Sequence, residues 1–334
     1  MTDMRVGVLG AGRIGSLHAR IVAEDTPGAV LAGVADVHAP SAEAVAARFR
    51  VPAMAVDELV ASPNVDAVAI CTSTDTHVDL IVAAARAGKA VFCEKPISLD
   101  LPAVDRALAA VADAGVPFMV GFNRRFDPAH RSVHDAVVDG VVGDVHLARI
   151  SSRDPSPPPL DYIRVSGGIF VDMMIHDFDM ARFVVGSPVV EVYAKGAVLI
   201  DPAIGDAGDF DTASVMLTHA NGAVTMIDNS RQAVYGYDQR VEVFGSLGLA
   251  ASENPDVHSG ITITREGLRG QVIPHFFLER YAESYRREWR AFTDYVRDGG
   301  PSPVPGSDAR APVVLGLAAG ESARTGAPVR VTEG

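Results

Sequence analysis

Along the first 120 residues, short β-branched apolar runs at 5–9, 30–35, 67–71, 90–93 and 118–120 alternate with longer stretches of helical spacing at 14–24, 41–49, 77–87 and 102–114. The runs are apolar at every position rather than every second one, as expected of parallel strands covered by helices on both faces. This pattern predicts βαβ units and an α/β, doubly wound sheet. Beyond about residue 123 the texture changes. A helical stretch at 128–139 is followed by a polar, proline-rich crossing at 151–159 and by a helix predicted over 169–185. Longer alternating runs fill 189–264, with turn signals at 220–222 and 245–248, a pattern of antiparallel strands that are solvated or paired with another subunit on one face. Two helices, near 279–297 and 307–323, close the chain.

Single cores stop growing near about 250–300 residues, so a 334-residue chain with 48% hydrophobic content calls for two domains. The change of texture puts them at 1–122 and 123–334. Asp and Glu outnumber Lys and Arg 42 to 29, a net charge of −13 that disfavours nucleic-acid and anionic-membrane partners. No apolar run reaches the ~18 residues of a membrane span, and the N-terminus does not read as a signal peptide. The two cysteines, Cys71 and Cys93, end apolar runs and exclude a disulfide framework, which suits a reducing cytoplasm.

The first strand runs into Gly10-Ala11-Gly12-Arg13-Ile14-Gly15 and then a helix. Gly10 permits the tight turn, Gly12 lets backbone approach a pyrophosphate, and Gly15 lets helix and strand pack closely. Asp36 ends the second strand 21 residues after Gly15, where a carboxylate accepts ribose hydroxyls and repels a 2′-phosphate. NAD is favoured over NADP, since Val37 and His38 bring no arginine. Alternatives are that Asp36 only caps its turn, or that the glycine turn serves an S-adenosylmethionine-dependent methyltransferase; the later motifs weigh against the second.

Cys93-Glu94-Lys95-Pro96 follows a strand on the sheet edge where open α/β sheets bind ligands. A lysine there, desolvated and near a cationic nicotinamide, suits proton transfer or polarisation of a hydroxyl, although it could simply pair with a local carboxylate. Asp172 and His176 stand four apart on the predicted helix and so share a face. A carboxylate beside an imidazole fixes its tautomer and raises its basicity, as a hydroxyl-deprotonating base requires. The pair could instead be a surface hydrogen bond or half of a metal site; no other cluster has ligand spacing, so no metal is expected, and no G-x-S-x-G elbow supports a hydrolase.

Together, Gly10 to Gly15, Glu94-Lys95-Pro96 and Asp172-x-x-x-His176 resemble the glucose-fructose oxidoreductase/inositol dehydrogenase/rhizopine-catabolism (Gfo/Idh/MocA) family, in order and spacing along nearly the whole chain. Ser151-Ser152-Arg153-Asp154-Pro155 and the segment 167–182 are most similar to its bacterial inositol 2-dehydrogenase branch. The resemblance implies an N-terminal Rossmann domain and a C-terminal α/β domain with an open mixed, largely antiparallel sheet, usually assembled as a homotetramer through that sheet. It implies that Lys95 sits between nicotinamide and substrate, that His176 takes the hydroxyl proton, and that Asp172 orients His176 and the substrate. Cofactor contacts then fall to Gly10, Gly12, Arg13, Ile14, Gly15, Asp36, Thr72, Ser73, His77, Glu94 and Lys95, and further substrate contacts to Arg125, Asp154, Tyr235 and Tyr285. Each of those four also has a structural reading, as a surface ion pair or packing. Ser73 and Thr74 depart from the commoner Pro-Asn of the family. The implied activity is NAD-dependent oxidation of a ring hydroxyl of a cyclic polyol, myo-inositol to its 2-keto form being favoured. Scyllo-inositol, glucose or another pyranose is the rival substrate, and a non-catalytic sugar or dinucleotide sensor the rival class.

Overall fold

The structure, a computed structural model, describes residues 3–258, 260–270 and 272–332. The chain divides into two compact units, one holding the chain through Asn123 together with Glu283–Arg310, the other holding Arg124–Ala282 and everything from Ala311 onward.

The first unit is built on six parallel strands: β1 (Met4–Leu9), β2 (Ala29–Ala35), β3 (Ala53–Met54), β4 (Ala67–Ile70), β5 (Ala90–Glu94) and β6 (Phe118–Gly121). Their order is β3-β2-β1-β4-β5-β6, with the reversal between β1 and β4 where doubly wound sheets bind ligands. All four residues of β4 and of β6 are buried, which explains why these runs are apolar without alternation.

The late segment of this unit differs from the expected 1–122 domain. Within the helix Ala282–Asp298, Trp289 is fully buried, stacked on Phe92 of β5 at 5.1 Å between ring centres. Phe292 meets both rings edge-on. Further on, Val304 accepts a hydrogen bond from the Val120 N–H of β6. Residues 283–310 therefore complete the core of the unit that opens the chain, a long-range packing event that local patterning does not record.

The second unit carries a seven-stranded sheet of β7 (Val145–Arg153), β8 (Val189–Ala197), β9 (Thr212–His219), β10 (Val224–Ser230), β11 (Asp238–Gly245), β12 (Leu249–Ser252) and, after the hairpin β13 (Thr262–Thr264) and β14 (Gly267–Arg269), β15 (Val329–Arg330). The order is β12-β11-β7-β10-β9-β8-β15. All neighbours run antiparallel except β7 and β10, which are parallel with Ser230 opposite Arg153. One face packs Val215, Leu217, Ile227 and Val243 under the helices Pro128–Val138 and Ile175–Val185. The other leaves Leu147, Met216, Met226 and Phe244 partly open.

The helix expected over 169–185 is two pieces. Ile169–Met173 forms a wide π-turn, and an α-helix begins only at Ile175. π-turns of this kind recur at functional sites because they re-aim the side chains they carry.

Candidate active site

In the first unit the site is made largely of backbone. Gly10 lies at φ +97°, and a Cβ at Gly15 would stand 1.8 Å from the Gly10 carbonyl oxygen, so strand and helix approach closely only with glycine there. The helix Arg13–Glu24 starts without a side-chain cap or an acid in its first turn, which leaves its leading N–H groups and positive dipole end for a diphosphate. Asp36 accepts the Ala11 N–H at 2.6 Å and the His38 N–H at 2.8 Å, one on each oxygen. It therefore does cap its turn, yet each oxygen keeps a lone pair for a ribose hydroxyl. The donors, the glycine turn and the carboxylate fit NAD.

At the switch point, His77 is buried with Nδ1 2.8 Å from the Pro96 carbonyl and Nε2 3.1 Å from that of Thr72. Burial pushes the imidazole pKa down, so the ring is neutral and donates to one carbonyl at a time. In this position His77 ties the loop after β4 to the Lys95-Pro96 corner. Thr72 and Thr76 join hydroxyls at 2.6 Å, and the Thr76 hydroxyl donates to the Ser73 carbonyl.

Glu94 is fixed from behind. The Trp289 indole N–H donates to His18 Nδ1 at 2.7 Å; an indole is only a donor, so Nδ1 is bare and the proton sits on Nε2, which lies 2.7 Å from Glu94 Oε1. The Lys95 N–H reaches the other Glu94 oxygen at 3.3 Å. Fully buried Glu288 has no hydrogen-bond partner on either oxygen among the described residues, and burial together with the Glu94 charge pushes its pKa well up.

The second unit assembles its site from side chains far apart in sequence. Asp172 sits in the π-turn and His176 in the first turn of the following helix. Gly168, at φ +77°, precedes the turn, and a Cβ there would stand 2.7 Å from Asp209. That aspartate accepts the Ile169 N–H at 2.9 Å and so starts the turn. The Tyr162 hydroxyl donates to Asp172 Oδ1 at 2.8 Å, and the Arg231 guanidinium lies 3.6 Å from Oδ2 and 3.0 Å from Asp209. Because β7 and β10 run parallel, Asp154 and Arg231 leave the sheet side by side, with the Asp154 N–H donating to the Ser230 carbonyl. Burial, opposed by the charges of Arg124 and Arg231 and helped by those of Asp172 and Asp177, pushes the Asp154 carboxyl up to about 6.

Among the further substrate candidates of the second unit, Asp154 lies in this cluster. Arg125 is buried and grips Asp179 through two nitrogens at 2.9 and 2.6 Å. Its neighbour Arg124 instead joins Arg231 as a cation in the field of Asp154, itself held 2.7 Å from buried Asp177. The Tyr235 hydroxyl lies between Arg153, at 3.0 Å, and Asp238, at 2.7 Å. Tyr285 belongs to the first unit, edge-on to His18 at 5.7 Å. Sequence spacing missed Tyr162, Asp209 and Arg231. The one available signal was shared form: Asn229-Ser230-Arg231 and Ser151-Ser152-Arg153-Asp154 both bring charge out of a strand end.

Comparison with known proteins agrees with this geometry. Residues 4–122 match the model of an oxidoreductase family with an NAD-binding Rossmann fold, and residues 130–251 match a GFO/IDH/MocA C-terminal domain. The chain is 48% identical to the myo-inositol 2-dehydrogenase of Thermotoga maritima, covering 99% of both chains. It is 49% identical to the inositol 2-dehydrogenase of Rhizobium meliloti over 95% of this chain and 96% of that one. It superposes at a TM-score of 0.92 and 27% identity on the scyllo-inositol dehydrogenase of Lactobacillus casei with bound NAD(H) and scyllo-inositol, covering 98% and 99% of the two chains. A glycine turn built for a diphosphate, a lysine corner and an aspartate–histidine turn thus belong to one scheme, and the chain is a member of the Gfo/Idh/MocA family of NAD-dependent oxidoreductases.

Proposed function

We propose that this oxidoreductase oxidises a secondary ring hydroxyl of a cyclic polyol, with myo-inositol converted to its 2-keto form. The observation that carries the reading is the Asp172 carboxylate, held at one oxygen by the Tyr162 hydroxyl and at the other by Arg231, one turn before His176. His176 takes the hydroxyl proton, and Asp172 fixes the imidazole orientation and accepts a neighbouring substrate hydroxyl. Lys95 stabilises negative charge developing on the oxygen, at a corner steadied by Glu94 and His77. NAD, when bound, supplies the two-electron acceptor. Asp154, partly protonated near neutrality, can donate or accept toward an uncharged polyol, while Arg125 is paired with Asp179 and the Tyr235 hydroxyl with Arg153 and Asp238.

Spectrophotometric NAD⁺ reduction against a panel of inositol isomers and aldoses, with NADP⁺ in parallel, tests this. Fastest turnover with myo-inositol and NAD⁺ is expected. Faster turnover with scyllo-inositol or glucose would overturn the substrate; calorimetric NAD binding with no turnover of any polyol would favour the sensor. The same reading has the protein assemble as a homotetramer through the sheet face bearing Leu147, Met216, Met226 and Phe244, which sedimentation would test. It also places the protein in the cytoplasm, consistent with Cys71 and Cys93 as free thiols.

A further inference from the structure

We propose that Trp289 and His18 are positioning residues for the Lys95 corner, passing a directed row of hydrogen bonds from indole to imidazole to the Glu94 carboxylate and so holding the lysine backbone in one conformation. All four residues belong to the first unit. The inference deepens the proposed oxidation and rests on the role given there to Lys95.

Each bond in the row has one possible direction. The indole nitrogen can only donate, so His18 Nδ1, 2.7 Å away, can only accept. That leaves the ring proton on Nε2, aimed at Glu94 Oε1 at 2.7 Å. Glu94 Oε2 is then the oxygen that receives the Lys95 N–H at 3.3 Å. His18 is 0% exposed, so bulk water cannot take the place of the indole at Nδ1.

The row does more than fill space. Trp289 stacks on Phe92 at 5.1 Å, a contact any large aromatic ring could make, and the indole N–H is surplus to that packing. Glu288, one residue before the tryptophan and also fully buried, is near enough for the Glu94 charge to push its pKa up. Two neighbouring carboxyls and an imidazole are a costly filling for a core that apolar side chains would pack as well. What the row holds explains it better.

It holds Lys95 from its N-terminal side. Gly121, opposite Glu94 in the pairing of β5 and β6, leaves room for the carboxylate: a Cβ there would stand 3.3 Å from the Glu94 carboxyl carbon and from Oε2. On the C-terminal side the Pro96 carbonyl lies 2.8 Å from His77 Nδ1. The backbone on both sides of Lys95 is thus tied to a side chain. An ammonium on a flexible four-carbon stem keeps its aim only if the backbone carrying it is fixed. Without the indole donor the imidazole proton can sit on either nitrogen. With that proton on Nδ1, Glu94 Oε1 would face a bare Nε2, a repulsive contact that turns the carboxylate away from the Lys95 N–H.

The test compares Trp289→Phe, His18→Ala, His18→Gln and Gly121→Ala with wild type, using whichever polyol wild type oxidises. Trp289→Phe keeps an aromatic ring on Phe92 and removes the indole N–H. It is expected to lower kcat about tenfold with a smaller change in KM, as a misaimed catalytic group does. His18→Ala should cost about 100-fold, and His18→Gln, whose amide can donate to Glu94 in place of Nε2, should return to within about tenfold of wild type. Gly121→Ala crowds Glu94 from the other side with Trp289 and His18 in place, and should reproduce the kinetics of Trp289→Phe. If Trp289→Phe does not fold, Gly121→Ala and the two His18 variants carry the test. A second readout needs no turnover: amide hydrogen exchange on peptides spanning 94–97, where Pro96 has no N–H. Exchange there should quicken about 5- to 10-fold in Trp289→Phe and His18→Ala, as on loss of one hydrogen bond, while residues 91–93 exchange as in wild type. Wild-type kcat and exchange in Trp289→Phe with only a lower melting temperature, or a His18→Gln no faster than His18→Ala, would overturn the proposal. If wild type oxidised no polyol, the functional reading would fall while exchange at Lys95 still decided whether Trp289 and His18 hold the corner.

Discussion

The two units solve the problem of holding a ligand with different materials. The first offers backbone: a glycine turn, a row of helix N–H groups, and a carboxylate anchored by two amides, one in the glycine turn and one in its own loop. The second offers side chains from four separate stretches, Asp154, Tyr162, Asp172 and Arg231, whose charges depend on one another. A backbone site fails through sterics and can be broken by one methyl group. A side-chain cluster fails through charge, by degrees and with pH.

That contrast can be broken experimentally. The largest effect is expected at the reacting groups: His176→Ala and Lys95→Ala should each lower kcat about 10²–10⁴-fold, the range for lost acid–base assistance, with melting temperatures near wild type. Rates near wild type would return either residue to a packing role. Next is Gly15→Ala, where the added Cβ would collide with the Gly10 carbonyl. NAD affinity by calorimetry should fall about 100-fold, equivalent to about 2.7 kcal/mol, and an unchanged Kd would show that the turn yields. Asp36→Ala is milder, about tenfold weaker for NAD and relatively improved for NADP, as expected when two ribose hydrogen bonds and a repulsive charge go together.

The smallest effect belongs to the cluster. Asp154, with its ordinary value of 3.8 raised to about 6, stabilises the folded chain fully below 3.8 and loses that contribution as pH rises through 6. Asp154→Asn should therefore melt like wild type at pH 4 and above it at pH 7.5. A stability difference independent of pH would show that Asp154 keeps its ordinary pKa.

The same division explains what the sequence allowed to be read. The glycine turn, Asp36 and the Lys95 corner are local, each resting on fewer than ten consecutive residues joined to a strand, and periodicity places the strand. Asp172 and His176 were legible by spacing, but the π-turn between Gly168 and Met174 was not, because it depends on Asp209, which arrives some forty residues later to take the Ile169 N–H. Arg125 drew attention for its motif, yet its neighbour Arg124 faces the cluster; which of two adjacent arginines turns inward is decided by the partners, Asp177 for one and Asp179 for the other. The boundary at 122 was close to the first crossing of the chain, while the return of residues 283–310 carried no local mark.

That return has a consequence for how the protein is made. A chain emerging from the ribosome exposes residues 1–123 early, with all six strands of the first sheet present but with the Phe92 ring bare and His18 Nδ1 without its indole donor. Those gaps are filled only when Trp289 and Phe292 have been synthesised, more than 160 residues later. The unit that is begun first is thus completed only after residues 124–282 of the other have been made. In pulse-labelling with limited proteolysis, nascent chains ending near residue 250 should leave the first unit cleavable, and protection should arise once the chain passes residue 310.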